Sequence, residues 1–140
     1  MSTMSYAEME AFLAQPLVAD FVTLRPGGAP HVAPVWHEFA DGKFIVFTSS
    51  RFQRVRNIER DDRVALSVAT NDMPYRYVVA EGRAVIIRER VREVGHAIAT
   101  RYIGADKPDE VDEFMRQTLD EDAVLIELVP SRLMTWVADD

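Results

Sequence analysis

The turn Pro26-Gly27-Gly28-Ala29-Pro30 and the dipeptide Asp41-Gly42 do most to limit what this chain can become. They cut its first third into short apolar runs at 18–25, 31–39 and 43–48. Strands joined by turns this short pair antiparallel, because a parallel pair needs a crossover of about a dozen residues or more. Further runs fit strands at 63–69, 75–87, 123–129 and 132–137, the last two joined at Pro130-Ser131. Helical spacing accounts for most of the remainder. Ser5 to Ala14 opens on a Ser5/Glu8 capping-box pattern, and Gln15-Pro16 ends it. A basic helix runs from Arg51 to about Arg60. Val91, Val94, Ile98 and Tyr102 share one helix face that stops at Gly104. Val111, Phe114, Met115 and Leu119 form another behind a first-turn Pro108. Seven strands, four short helices and a bulge-forming Gly82 inside a long strand imply a mainly β fold. Its sheet is expected to be closed, or nearly closed, into a barrel.

The length of 140 residues is that of one domain, taken as 1–140, with a core of its own. No apolar run has the length of a membrane span, and Met1 to Ser5 carries no basic region followed by an apolar block. Cysteine is absent, which removes disulfides, thiolate catalysis and cysteine metal sites. A cytoplasmic location is the expectation from these features. The formal net charge is −7 and the pI is near 5.0, which argues against nucleic-acid binding as the main task. Positive charge is instead local. Arg51, Arg54, Arg56, Arg60 and Arg63 fall together, while acids crowd the stretch from Asp106 to Asp122. A basic patch on an acidic protein points to a small anionic ligand. The plainer reading is a solvated helix face with Glu59, Asp61 and Asp62 as partners.

The stretch Phe47 to Ile58 concentrates the candidate chemistry. It reads as a strand end, a hydroxyl-rich turn (Thr48, Ser49, Ser50) and the start of the basic helix. Ser50 and Gln53 fit a second capping box, and Phe52, Val55 and Ile58 fit an inward face. Unpaired N–H groups at a helix start, hydroxyl donors, and the charges of Arg54 and Arg56 together suit a phosphate. Pro34 lies inside the run 31–39, so that strand is an edge, is bulged, or leaves backbone free for a flat ligand. In the run 63–69, Val64, Leu66 and Val68 share one face. Ala65, Ser67 and Ala69 share the other, and residues this small imply close packing of another surface.

Other chemistries find less support. His31 and His37, placed on one strand, would stand about 20 Å apart, too far for one metal. Ser49, Ser50 and Ser67 lack a nucleophile elbow. The carboxylate pairs Glu8/Glu10 and Asp109/Glu110 sit at solvated helix starts. No metal ligand and no acid–base residue is identified. Trp136 fits a core or an interface better than a ring-packing role.

Several pieces in order resemble the pyridoxamine 5′-phosphate oxidase-like split β-barrel family, and within it the flavin- and deazaflavin-dependent oxidoreductases. They are Gly28 to Trp36, Asp41-Gly42, Thr48-Ser49-Ser50, Arg54-Val55-Arg56-Asn57-Ile58 and Asp62 to Leu66, followed by Pro74 to Val79, Glu81-Gly82-Arg83-Ala84 and Arg101-Tyr102-Ile103-Gly104. The resemblance implies an antiparallel, FMN-binding split barrel-like fold and a homodimer with cofactor at the interface. It implies that the backbone of Ala33, Pro34, Val35 and Trp36 lines a ring system. Thr48, Ser49, Ser50, Arg54 and Arg56 would hold a phosphate, and Asn57 would support the helix start. The cofactor would be F420 or FMN, with F420 favoured by the Pro-Tyr-Arg-Tyr and Glu-Gly-Arg-Ala pieces. Arg51, Arg56 and Arg60 would offer F420's acidic tail a basic track. The activity implied is hydride transfer between the cofactor and a small organic substrate, with neither nucleic acid nor membrane as partner. Alternatives are an FMN-binding oxidase-related protein, a flavin reductase, and a non-catalytic cofactor carrier. Arg54 stands where the family often has lysine, and Gln53 where some oxidases have arginine. The C-terminal arginine- and tryptophan-containing segment of those oxidases has no match here.

Overall fold

The computed structural model describes residues 2–138. The first helix, α1 (Tyr6–Leu13), is capped as expected. Ser5 Oγ accepts from the Glu8 amide, and the Glu8 carboxylate accepts from the Ser5 amide, both at 3.1 Å. Its Met9, Phe12 and Leu13 are buried and join the main core.

Seven antiparallel strands form one sheet. They are β1 (Ala19–Leu24), β2 (Pro30–Val35), β3 (His37–Ala40), β4 (Lys43–Ser49), β5 (Arg63–Ala69), β6 (Arg76–Ile87) and β7 (Ala123–Val137). The order across the sheet is β2-β1-β5-β6-β7-β4-β3. The two edge strands are therefore neighbours in sequence, separated by Trp36 alone. A sheet whose two edges lie one residue apart in the chain must curl round on itself. Among the described residues no ladder joins β2 to β3, so the curled sheet is a barrel left split along that line. Inside it lie Phe21, Phe44, Val46, Leu66, Val68, Val78, Ile126 and Leu128.

Two expectations about strands are corrected. The run 31–39 is two strands at opposite sheet edges. Val35 still pairs with Ala19 on β1, whereas His37 already pairs with Val46 on β4. His31 and His37 consequently do not share a strand. Pro34 does lie on an edge strand and is exposed, where its missing N–H costs no ladder bond. The runs 123–129 and 132–137 are one strand, not a pair. β6 and β7 stay paired from Arg76↔Val137 to Ile87↔Leu125, with a register shift at Glu81/Gly82 that takes up Pro130-Ser131. The irregularity expected at Gly82 is present, but the unpaired residue is Ser131 on β7 opposite it, and the close approach needs glycine: a Cβ at Gly82 would stand 2.1 Å from the Val129 carbonyl oxygen. Seven strands were expected and seven are seen, because one run split while two merged.

The Asp41-Gly42 hairpin is present with both residues at positive φ, 54° and 77°. Helix α2 (Gln53–Arg60) starts two residues later than its sequence pattern placed it. Ser50 and Gln53 make no capping box. Phe52 is the cap residue and gives no side-chain bond, because the chain turns once more at 50–52 before the helix begins. Val55 and Ile58 face the core as expected, but Phe52 is 52% exposed. Helix α3 (Val91–Ile103) covers the outside of β4 and β7, and α4 (Pro108–Thr118) packs against α3. There Val94, Ile98 and Leu125 pack with Trp36, Phe47 and Tyr102, and Ala99, Val111 and Met115 with Phe114.

The small-residue face of β5 is on the outside of the barrel, and among the described residues no helix lies over it. Cross-strand partners point the same way, so one continuous outer face carries Val32, Val22 and Ala65 in one row. Pro34, Asp20, Ser67, Val79 and Met134 form the next row. Ala69, Tyr77 and Trp136 form a third.

Candidate functional site

Strand β4 ends in Thr48 and Ser49, both 7% exposed. The chain then turns through Ser50, whose amide donates to the Asp122 carbonyl at 2.8 Å. Ser49 Oγ accepts from the Arg51 amide at 3.2 Å. Arg54 in the first turn of α2 reaches back to this strand end, its Nη1 donating to Thr48 Oγ1 at 2.8 Å. Its guanidinium lies 4.9 Å from the centre of the Phe52 ring. Arg54 Nε is buried with no hydrogen-bond partner. Among the described residues no carboxylate pairs with Arg54, whereas Arg51, Arg63, Arg83, Arg90 and Arg116 each have one. Partial burial lowers the Arg54 pKa, but a guanidinium keeps its proton under these conditions. A half-buried cation with spare donors and no anion is thus aimed into a cleft.

That cleft has a volume of about 480 Å³. Pro34, Val35 and Trp36 at the β2 edge form one wall. Phe47, Thr48 and Ser49 form the second, Phe52 and Arg54 the third, and Phe114, Gln117 and Thr118 of α4 the fourth. Of the residues singled out from sequence, Pro34, Val35, Trp36, Thr48, Ser49 and Arg54 line it. Ala33, Ser50, Arg56 and Asn57 stand outside its lining. Ala33 pairs with Phe21. Arg56 is exposed and donates to the Arg51 carbonyl at 2.9 Å and to Gln53 Oε1 at 3.2 Å. Asn57 is fully buried. Its Nδ2 donates to Thr23 Oγ1 at 3.0 Å and its Oδ1 accepts from Gln53 Nε2 at 2.8 Å, which ties α2 to β1. Arg51 borders the cleft but is drawn to Asp120 and Asp122, at 3.1 and 3.4 Å. Arg60 donates to the Leu24 carbonyl.

Sequence reasoning missed the α4 wall and Phe52. No local pattern connects Phe114, Gln117 or Thr118 to residue 34. They are brought there by Trp36, whose indole stacks on Tyr102 (4.9 Å, 2° between planes) and on Phe114 (5.2 Å, 30°). Tyr102 completes the junction. Its hydroxyl donates to the Leu17 carbonyl at 2.8 Å and accepts from the His37 amide at 3.1 Å, just where the chain passes between sheet edges. Trp136 stacks instead on Tyr77 at 5.7 Å on the outer face, outside the cleft lining. Among the described residues no three His, Asp or Glu side chains are grouped to hold a metal.

The arrangement can hold an anion at Arg54, Thr48 and Ser49, with flat apolar surface on either side. Among the described residues its lining contains no paired acid and base. A bound group that brings its own reactivity is what such a site can serve.

Solved structures share this architecture. A crystal structure of the conserved hypothetical protein Rv2991 from Mycobacterium tuberculosis is 28% identical, with TM-score 0.81 over 96% of this chain and 86% of that one. An F420 reductase is 27% identical, with TM-score 0.71 over 89% of this chain and 94% of that one. HutZ, the heme storage protein of Vibrio cholerae, is 16% identical and shares the fold, with TM-score 0.70 over 94% and 93% of the two chains. No curated protein sequence matches significantly. The model of the pyridoxamine 5′-phosphate oxidase family matches residues 6–136. The chain, a split barrel with a cleft at its open seam, belongs to the pyridoxamine 5′-phosphate oxidase family.

Proposed function

We propose that this protein is an oxidoreductase that uses a flavin-type cofactor, F420 in preference to FMN, to move a hydride to or from a small organic substrate. The observation that carries this is Arg54: half-buried, unpaired with any described carboxylate, and bonded only to the Thr48 hydroxyl beside the flat β2 edge. A phosphate on Arg54, Thr48 and Ser49 would leave an attached ring system against Pro34, Val35 and Trp36. The cofactor, when bound, supplies the hydride chemistry. The chain's own residues bind it, orient it, and exclude water through Phe47, Phe52 and Phe114. The likeness to an F420 reductase at 27% identity over most of both chains favours F420.

The proposed site includes a second copy of the chain. The outer face of β1, β5 and β6 presents Val22, Ala65, Ser67 and Val79 with no helix among the described residues over it, and Val32 is 59% exposed beside them. A patch of this kind, small in the middle and apolar at its margins, suits a flat self-complementary interface. A homodimer through it would put partner residues near the β2 edge of the cleft.

Fluorescence titration with F420, FMN and riboflavin tests the proposal. F420 or FMN should bind and riboflavin should bind far more weakly, since it lacks the phosphate. Equal binding of riboflavin and FMN would remove the anion site from the reading. Tight binding without turnover of quinone, enone or tetrapyrrole substrates would make the protein a cofactor carrier.

A further inference from the structure

The β1–β2 ladder ends at the pair Ala19↔Val35. Continued in the same register, it would set Val18 opposite Trp36 and Leu17 opposite His37. The Tyr102 hydroxyl of α3 occupies the seam at this point. It accepts from the His37 amide at 3.1 Å and donates to the Leu17 carbonyl at 2.8 Å. One side-chain oxygen therefore stands between backbone groups that an unbroken ladder would bring together. The neighbouring Arg101 holds the chain on its way into β1, its Nη2 donating to the Leu13 and Gln15 carbonyls at 3.2 Å each. Val18 and Trp36, the pair the ladder leaves out, both line the cleft, and Val18 is 53% exposed. The cleft thus begins where the ladder stops, and the hydroxyl sits beside that stop.

We infer that Tyr102 is the positioning residue of the ring-binding wall: its hydroxyl wedges Leu17 and His37 apart, which keeps Val18 and Trp36 as two sides of a cleft rather than a closed strand pair. This rests on the cofactor reading proposed above and names the group that shapes the ring end of that site. Tyr102 is itself outside the cleft lining. It acts through the Trp36 indole, against which its ring lies flat, and through the seam it props. Backbone amides and carbonyls shielded from water need partners. Without the hydroxyl, the His37 amide and the Leu17 carbonyl regain a partner by closing on each other, and that closure draws Val18 towards Trp36.

Tyr102→Phe keeps an aromatic ring against Trp36 and removes the hydroxyl alone. Fluorescence titration of wild type and variant with FMN, F420 and riboflavin reads the effect, and urea melts check that the variant is folded. All three ligands should bind about tenfold more weakly to the variant, the loss expected for about one hydrogen bond. The ratio of FMN to riboflavin affinity should stay within about twofold of wild type, because Arg54, Thr48 and Ser49 are untouched and the two ends of the site act independently. General loosening of the fold would weaken the phosphate contacts as well and lower that ratio. A measurement on wild type needs no substitution: FMN should shift the NMR signal of the His37 amide, and inorganic phosphate should leave it in place. Unchanged affinities in a folded Tyr102→Phe, a fallen FMN-to-riboflavin ratio, or a His37 amide unmoved by FMN overturns the inference while the cofactor reading stands. If neither FMN nor F420 binds wild type, or riboflavin binds it as well as FMN does, the reading itself falls and takes the inference with it.

Discussion

Acid should loosen this protein through His37 before it protonates most carboxylates. The His37 side chain is fully buried, and neither ring nitrogen has a hydrogen-bond partner. The Phe44 and Tyr102 rings lie beside it, 5.9 and 6.4 Å away centre to centre. Burial, and then the charge of Arg101, lowers its pKa from 6.5 to about 4. Between those two values the unfolded chain binds a proton that the folded protein refuses. Stability therefore falls as pH drops below 6.5, and the loss is complete below about 4. The shift corresponds to about 3 kcal/mol in full, of which about 2 kcal/mol has been lost by pH 4.5. Urea denaturation of wild type, His37→Leu and His37→Gln at pH 7 and pH 4.5 isolates this contribution from that of the acids. Wild type should lose about 2 kcal/mol more than either variant across the interval. His37→Leu should be no less stable than wild type at pH 7, since it replaces two unpartnered polar atoms with an apolar side chain. Equal losses in all three proteins would refute the reasoning.

Other outcomes follow from the same structure. Arg54→Ala should weaken binding of FMN or F420 by ~1.5–3 kcal/mol, as for a hydrogen bond to a charged group, with little change in urea midpoint. Unchanged affinity in the titration would take the phosphate away from Arg54. Gly82→Ala should cost at least ~2 kcal/mol of stability by thermal or urea melts, because its Cβ would meet the Val129 carbonyl at 2.1 Å and the bulge must open. If the proposed homodimer forms through the outer face, wild type should sediment as a dimer and Ala65→Lys as a monomer, with the melting temperature of the isolated chain nearly unchanged. If Ala65→Lys stays dimeric, the interface lies elsewhere.

Much of the candidate cleft's lining was readable because it is local. Thr48, Ser49 and Arg54 lie within one strand–turn–helix unit, and their chemistry is carried by residue type and short spacing. The Ser5/Glu8 cap, the Asp41-Gly42 hairpin and the irregularity at Gly82 were legible for the same reason. Ser50 and Gln53 show the limit of that approach. They match a capping pattern, but the turn at 50–52 is set by the Ser50 amide reaching Asp122, more than seventy residues away. Proline misled in one place and informed in another. Pro130 looked like a strand end, but the bulge opposite Gly82 absorbs it. Pro34 offered an edge as one of three readings and the edge is what is seen, although nothing local revealed that the same run leaves that edge at Trp36 and resumes on the other.

The sequence by itself determined the antiparallel β class and the basic helix after a hydroxyl-rich turn, and it pointed to an anion as the expected ligand. These follow from turn length, periodicity and charge, which act over a few residues. Only the tertiary structure decided that β2 and β3 form the two edges of one curled sheet. It alone set Phe114 and Gln117 across the cleft from Pro34, left Arg54 without a carboxylate partner among the described residues, and turned the small-residue face of β5 outward. These depend on contacts between residues far apart in the chain. Such contacts are chosen by how the whole core packs around Trp36, Tyr102 and the β6–β7 pair, so no short window of sequence contains them.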